Sequence, residues 1–143
     1  MKIAICGSLD FVSEMKKTSD QLINLGFDVL LPKSAEMVLN GEVSTEEMKK
    51  ENESGEAGER KIAIDAIRAH YNKISGSAAV LVLNYTKKGI ENYIGGNTFL
   101  EMGFAHVLNK KIFLLNSIPQ ILYTDEIQAM RPVVLSGDLS KIA

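Results

Sequence analysis

The run Ala78-Ala79-Val80-Leu81-Val82-Leu83 carries no polar side chain over six residues. A strand with one wet face alternates apolar and polar residues. An unbroken apolar run of this length, bounded by Ser77 and Asn84, is what a central parallel strand needs, because helices cover it on both faces. Shorter apolar runs stand at Ile3–Cys6, Phe27–Leu31, Lys111–Leu115 and, as an edge strand, Pro132–Leu135. Between them the apolar period changes from two to that of a helix. Phe11, Met15, Leu22 and Leu25 mark one helix, closed by Gly26; Ile62, Ile67, His70 and Ile74 mark another, and Asp125–Met130 a short third.

Strands alternating with helices predict a three-layer α/β/α domain. The expected sheet is five-stranded, mainly parallel and in the flavodoxin-like (Rossmann-like) order 2-1-3-4-5. The 143 residues fit one domain, 1–143. Residues 42–61 are charge-rich without apolar period and predict a polar helix broken near Asn52–Gly58.

Composition narrows the function. A net charge of −2 without a basic run argues against nucleic acid and against a membrane surface. No apolar run reaches transmembrane length. Met1–Cys6 is too short for the apolar core of a signal peptide, and a lone cysteine suits a reducing compartment, so a cytoplasmic protein is expected. Cys6, His70 and His106 lie far apart in sequence, which argues against a metal, and no cofactor is expected.

The chemistry concentrates in Tyr93-Ile94-Gly95-Gly96-Asn97-Thr98-Phe99-Leu100-Glu101-Met102-Gly103-Phe104-Ala105. Gly95-Gly96 allows a close backbone approach, and Asn97 or Thr98 can cap a helix whose first N–H groups favour anions and sugar oxygens. Glu101 is then a nucleophile or base facing the opening. Thr98-x-x-Glu101 also fits a capping box, in which the carboxylate only folds back on the helix start. Gly103 would let the helix lie tight on a strand or a ligand. In open parallel sheets, ligands lie beyond the carboxyl ends of the strands. That rule gathers Cys6, Gly7 and Ser8 after the first strand, Asn84, Tyr93, Gly95, Gly96, Asn97 and Thr98 after the central one, and Ser117 after the next. Ser8 and Ser117 are phosphate ligands or ordinary turn serines. Cys6 reads more readily as a small buried hydrophobe than as a nucleophile. Tyr85 and Tyr93 are base-stacking rings or core plugs. His106 lies about 140° around the helix from Glu101, off its face, and His70 reads as a cap or a partly buried residue.

From His70 to Pro119 the chain resembles the nucleoside 2-deoxyribosyltransferase superfamily. The likeness rests on Ala79–Asn84, Gly95-Gly96-Asn97-Thr98, Glu101-Met102-Gly103-Phe104-Ala105 and Lys110-Lys111-Ile112, with Cys6-Gly7-Ser8 as the first substrate loop. The resemblance implies that Glu101 attacks the anomeric carbon of a (deoxy)nucleoside or its 5′-monophosphate through a covalent glycosyl-enzyme. Gly95-Gly96-Asn97-Thr98-x-x-Glu101 is also similar to the signature of the lysine-decarboxylase-like phosphoribohydrolases, which cleave the same bond. The chain departs from the superfamily where its transferases carry base-handling aspartates. Here stand Ser77-Ala78-Ala79 and Ile94-Gly95, with Glu91, Asn92, Asn84 and Tyr93 as available substitutes. A catalytically silent nucleotide-binding module of the same fold is therefore the competing reading. A receiver-like domain is disfavoured, since Cys6-Gly7-Ser8 offers no acidic cluster. The resemblance also implies a homodimer or larger assembly, because sites in the family are often completed by a neighbouring subunit. Light scattering at micromolar concentration is expected to read at least a dimer; a monomer alone would refute this.

Overall fold

The computed structural model describes residues 1–54 and 65–143. In chain order its elements are β1 (Lys2–Cys6), a 3₁₀ turn (Leu9–Phe11), α1 (Val12–Asn24), β2 (Asp28–Leu30), α2 (Lys33–Leu39) and α3 (Thr45–Ser54). After residue 64 come α4 (Ala66–Ser75), β3 (Ala79–Val82), α5 (Gly96–Val107), β4 (Lys111–Leu114), α6 (Thr124–Ala129), β5 (Val133–Val134) and a final 3₁₀ turn (Leu139–Lys141). The strands form one sheet in the order β2-β1-β3-β4-β5, and every pairing is parallel. Architecture and strand order are those expected.

Strand periodicity sorts the core into two halves. Ile3, Ile5, Leu81, Leu83 and Phe113 turn to one face, where Met15 and Leu22 of α1 cover them. Ala4, Cys6, Val80, Val82, Ile112 and Leu114 turn to the other, under Ile74 of α4, Met102 and Ala105 of α5 and Ile127 of α6. All four residues of β3 are fully buried, which is why its sequence shows no alternation.

Local signals account for the element ends. Gly26 takes φ +95° and Phe27 N–H donates to Leu22 C=O (3.1 Å) while Gly26 N–H donates to Ile23 C=O (2.9 Å). This is the six-to-one and five-to-two pattern of a Schellman stop, and a side chain at residue 26 would strain it. The seven-residue α2 was not expected: Pro32 pre-sets the backbone at its N-cap, and only Ala35 is buried, so apolar period gives no sign of it. Lys73 of α4 ties it down by pairing with Glu36 and donating to Leu31 C=O at 2.6 Å. Residues 52–54 continue α3, so the predicted break does not begin at Asn52; the rest of that break, and the helix start at Ile62, lie outside the described residues. No helix among the described residues is long and apolar enough to cross a membrane.

Candidate active site

β1 and β3 are sheet neighbours, and the chain leaves them in opposite directions, to β2 on one side and to β4 on the other. At such a switch point the following loops part and leave a crevice at the carboxyl edge. A cleft of about 300 Å³ lies there. Gly7, Ser8 and Asp10 line it after β1, Lys87 and Tyr93 after β3, Gly95–Thr98 and Glu101 from α5, and His70 from α4.

Gly7 belongs there for a steric reason. A Cβ at this position would lie 3.2 Å from the Leu83 carbonyl oxygen, closer than side chains normally come to backbone. Lys87 is delivered by a two-residue hairpin. Lys87 and Ile90 exchange both backbone hydrogen bonds (3.1 and 2.9 Å), with Lys88 at φ +55° and Gly89 at φ +72°, the signature of a type I′ turn. The Lys87 ammonium donates to Ser8 Oγ (2.7 Å), pairs with Asp10 Oδ2 (3.1 Å) and stands 5.6 Å from the centre of the Tyr93 ring. One cation therefore gathers both strand-end loops around it.

The helix carrying Glu101 begins two or three residues earlier than its capping residues suggest. Gly95 is the N-cap of α5, with extended backbone and no side-chain cap. Thr98 thus occupies the third helical position and Glu101 the sixth, so the capping-box reading is wrong. An uncapped helix start leaves its first N–H groups without intrahelical partners, and Gly96, Asn97 and Thr98 present that turn to the cleft.

Glu101 instead faces α4. Its Oε2 lies 2.7 Å from His70 Nε2, the carboxylate 17% exposed and the imidazole 5%. Two bare lone pairs would repel at this distance, so Nε2 carries the proton. The same nitrogen is 3.4 Å from Cys6 Sγ, at the buried end of β1. The carboxylate stands off the N–H direction, and Glu101 Oε2 and His70 Nδ1 are buried without a hydrogen-bond partner among the described residues. Burial, with the Glu101 charge adding to it, pushes the Cys6 thiol well above its ordinary pKa, so it is a neutral thiol rather than a nucleophile. Three residues far apart in sequence meet because β1, α4 and α5 share one face of the sheet. Sequence distance was therefore a poor argument against a metal: their donor atoms lie within 4.8 Å of one another.

Of the sequence candidates, Gly7, Ser8, Tyr93, Gly95, Gly96, Asn97, Thr98 and Glu101 line the cleft, and Cys6 touches the buried side of its His70–Glu101 pair. Asn84 and Ser117 do not line it. Asn84 is fully buried and works as a strut: its amide donates to Asn116 C=O and Ser117 C=O (3.0 Å each) and accepts from Asn116 N–H (2.9 Å). Ser117 is exposed on the loop so held. Tyr85 packs edge-on to Phe11, with ring centroids 5.2 Å apart, in the core of the opposite face. A Cβ on Gly103 would meet nothing within 4 Å among the described residues, so the expected tight packing is not seen there. Sequence reasoning missed Asp10, Lys87 and the role of His70. The signals were the Lys88-Gly89 turn beside Lys87, and the position of His70 one turn before buried Ile74.

No protein-family model matches the chain, and no curated protein matches it. Among solved structures the fold is similar to that of BcmB, a CMP N-glycosidase of Clostridium botulinum. The TM-score is 0.51 at 11% identity, covering 94% of this chain and 85% of that one. At that identity the likeness is one of fold.

Replacing Asn84 by alanine is expected to leave Asn116 N–H and two carbonyls without their partner, lowering the unfolding free energy by about 2 kcal/mol. Urea titration measures it. A loss below about 0.5 kcal/mol would mean that Asn84 is no strut.

Proposed function

We propose that this chain cleaves the N-glycosidic bond of a nucleoside 5′-monophosphate, with Glu101 as nucleophile. The observation that carries the reading is the Glu101 carboxylate. It is excluded from helix capping, turned into a cleft at the β1/β3 switch point and held against the protonated Nε2 of His70. The fold likeness to a CMP N-glycosidase supports the same bond.

In this reading a Glu101 oxygen bonds to the anomeric carbon as the carbon–nitrogen bond breaks. The bonding pair leaves with the base, which takes up a proton. Water then attacks the glycosyl ester and releases Glu101, and another base in place of water would give transfer. Two displacements replace one difficult one, as in retaining glycosidases. His70 is the positioning residue that fixes the carboxylate. Of the proposed substitutes for the missing aspartates, Tyr93 alone lines the cleft, which makes its hydroxyl the donor available to the departing base. Lys87, Ser8 and the open start of α5 form the donor-rich end suited to the phosphate, which would take the place of Asp10 as partner of the Lys87 ammonium. A shallow apolar groove on the outer side of α5, lined by Tyr71, Phe104 and the 78%-exposed Val107, shares Gly96 and Leu100 with the cleft and supports a homo-oligomer.

One observation favours a silent nucleotide-binding module instead. In Ser77-Ala78-Ala79, the stretch where transferases of the resembled superfamily often have an aspartate, the one polar side chain, Ser77, is buried and spends its hydroxyl on Lys73 C=O at 2.6 Å. Purified protein incubated with nucleosides and 5′-monophosphates separates the two readings. Wild type is expected to release free base from a monophosphate. Glu101→Gln should abolish release while costing no more than about 1 kcal/mol of stability, because the amide keeps shape and contacts. Lys87→Ala should raise KM for the monophosphate at least tenfold and leave that for the nucleoside unchanged. Equal release by wild type and Glu101→Gln would end the catalytic reading. Ligand binding without release by wild type would establish the silent module.

A further inference from the structure

We infer that Cys6, His70 and Glu101 form a binding site for a borderline-soft divalent metal ion, Zn²⁺ in the first instance. A thiol sulfur, an imidazole nitrogen and a carboxylate oxygen, supplied by β1, α4 and α5, converge with all donor atoms within 4.8 Å of one another. Zinc held at about 2.3 Å from sulfur and about 2.0–2.1 Å from nitrogen in a tetrahedron sets these donors roughly 3.5 Å apart. Cys6 Sγ and His70 Nε2 already stand at 3.4 Å. The Glu101 oxygen, at 2.7 Å from the same nitrogen, needs to withdraw by only about 0.6 Å to reach tetrahedral spacing.

An independent observation points to a ligand at this place. Glu101 Oε2 is buried, and beyond its 2.7 Å ion-pair contact with His70 Nε2 it has no hydrogen-bond partner among the described residues. A metal ion would satisfy it. Thiolate and carboxylate together carry two negative charges, which a divalent cation balances. The donor set also selects the ion: magnesium and calcium take six or more oxygens, whereas thiolate with imidazole suits zinc. His70 and Glu101 line the cleft and Cys6 lies beneath them, so a fourth coordination position opens toward the cleft, as catalytic or inhibitable zinc sites require. Binding forms zinc bonds to the Cys6 sulfur and to His70 Nε2: the thiol proton leaves to solvent, and the Nε2 proton shifts to Nδ1, so that the neutral ring offers its Nε2 lone pair to the ion. His70 Nδ1 has no hydrogen-bond partner among the described residues to orient the ring, so the ion is held reversibly and less tightly than in structural zinc sites.

An ion at this position occupies the carboxylate that the proposed reaction needs, so zinc inhibits base release. That consequence rests on the reading of Glu101 as nucleophile; the binding does not. The test titrates the full chain, stripped of metal by a chelator, with Co²⁺ and then Zn²⁺. Cys6 is the chain's only cysteine, so a near-ultraviolet thiolate-to-cobalt charge-transfer band can arise only from it. Expected are one Co²⁺ per chain with that band, its bleaching by one equivalent of Zn²⁺, and at least tenfold weaker Zn²⁺ binding in Cys6→Ser and His70→Gln by calorimetry. Absence of the band in folded wild type overturns the site even if neither variant folds. Equal Zn²⁺ affinity in wild type and a folded variant overturns it too. Zinc binding with the band in a protein that releases no base supports the site and removes only the catalytic reading.

Discussion

The parallel pairing of β1 with β3 is the constraint from which the rest of this structure follows. Parallel neighbours cannot be joined by a tight turn, so chain must cross over the sheet between them, and helices must cover both faces. The same pairing brings the ends of both strands to one edge. Gly7 and Ser8 leave from one strand and the Lys87 hairpin from the other, and the two loops meet at a single ammonium group. A Cβ added at Gly7 would stand 3.2 Å from the Leu83 carbonyl oxygen, which shows how little room this edge leaves for side chains.

The pairing also decides which polar groups meet. The face of β1 that ends in Cys6 is covered by α4 and α5 together. A carboxylate on the inner side of α5 at that level faces only a helix neighbour, a strand end and the cleft. Desolvation opposes a charge in such a place unless it is paired. His70 supplies the partner, and its own Nδ1 is left without a hydrogen bond among the described residues. Native structures leave few buried polar atoms without partners. Glu101 Oε2 and His70 Nδ1, two such atoms in one residue pair, mark a place where packing yields to chemistry.

The layout of the domain was legible because its signals are strong ones. An unbroken apolar run admits little besides a strand buried on both faces, and Gly26 forces a helix to stop. Glu101 was legible as a candidate, but its orientation was not. The spacing of Thr98 and Glu101 fits a capping box equally well, and the true helix start at Gly95 depends on how Tyr93 and the preceding turn pack. Asn84 misled for a similar reason: a polar residue at a strand end serves a ligand or a loop, and only its three contacts with Asn116 and Ser117 decide. The meeting of His70 with Cys6 and Glu101 was hidden because sequence separation says nothing about elements that share a sheet face. The α2 helix, with a single buried residue, carried too little apolar pattern to be seen.

Covalent capture of the sugar decides whether Glu101 is the nucleophile. Wild-type protein would be incubated with a 5′-monophosphate whose sugar carries a 2′-fluorine, a substituent that slows breakdown of a glycosyl ester more than it hinders its formation. Intact-mass and peptide mass spectrometry then locate any adduct. One sugar-phosphate per chain is expected, attached at Glu101 and formed as free base appears. Base release with no adduct, or an adduct on any other residue, would contradict that role.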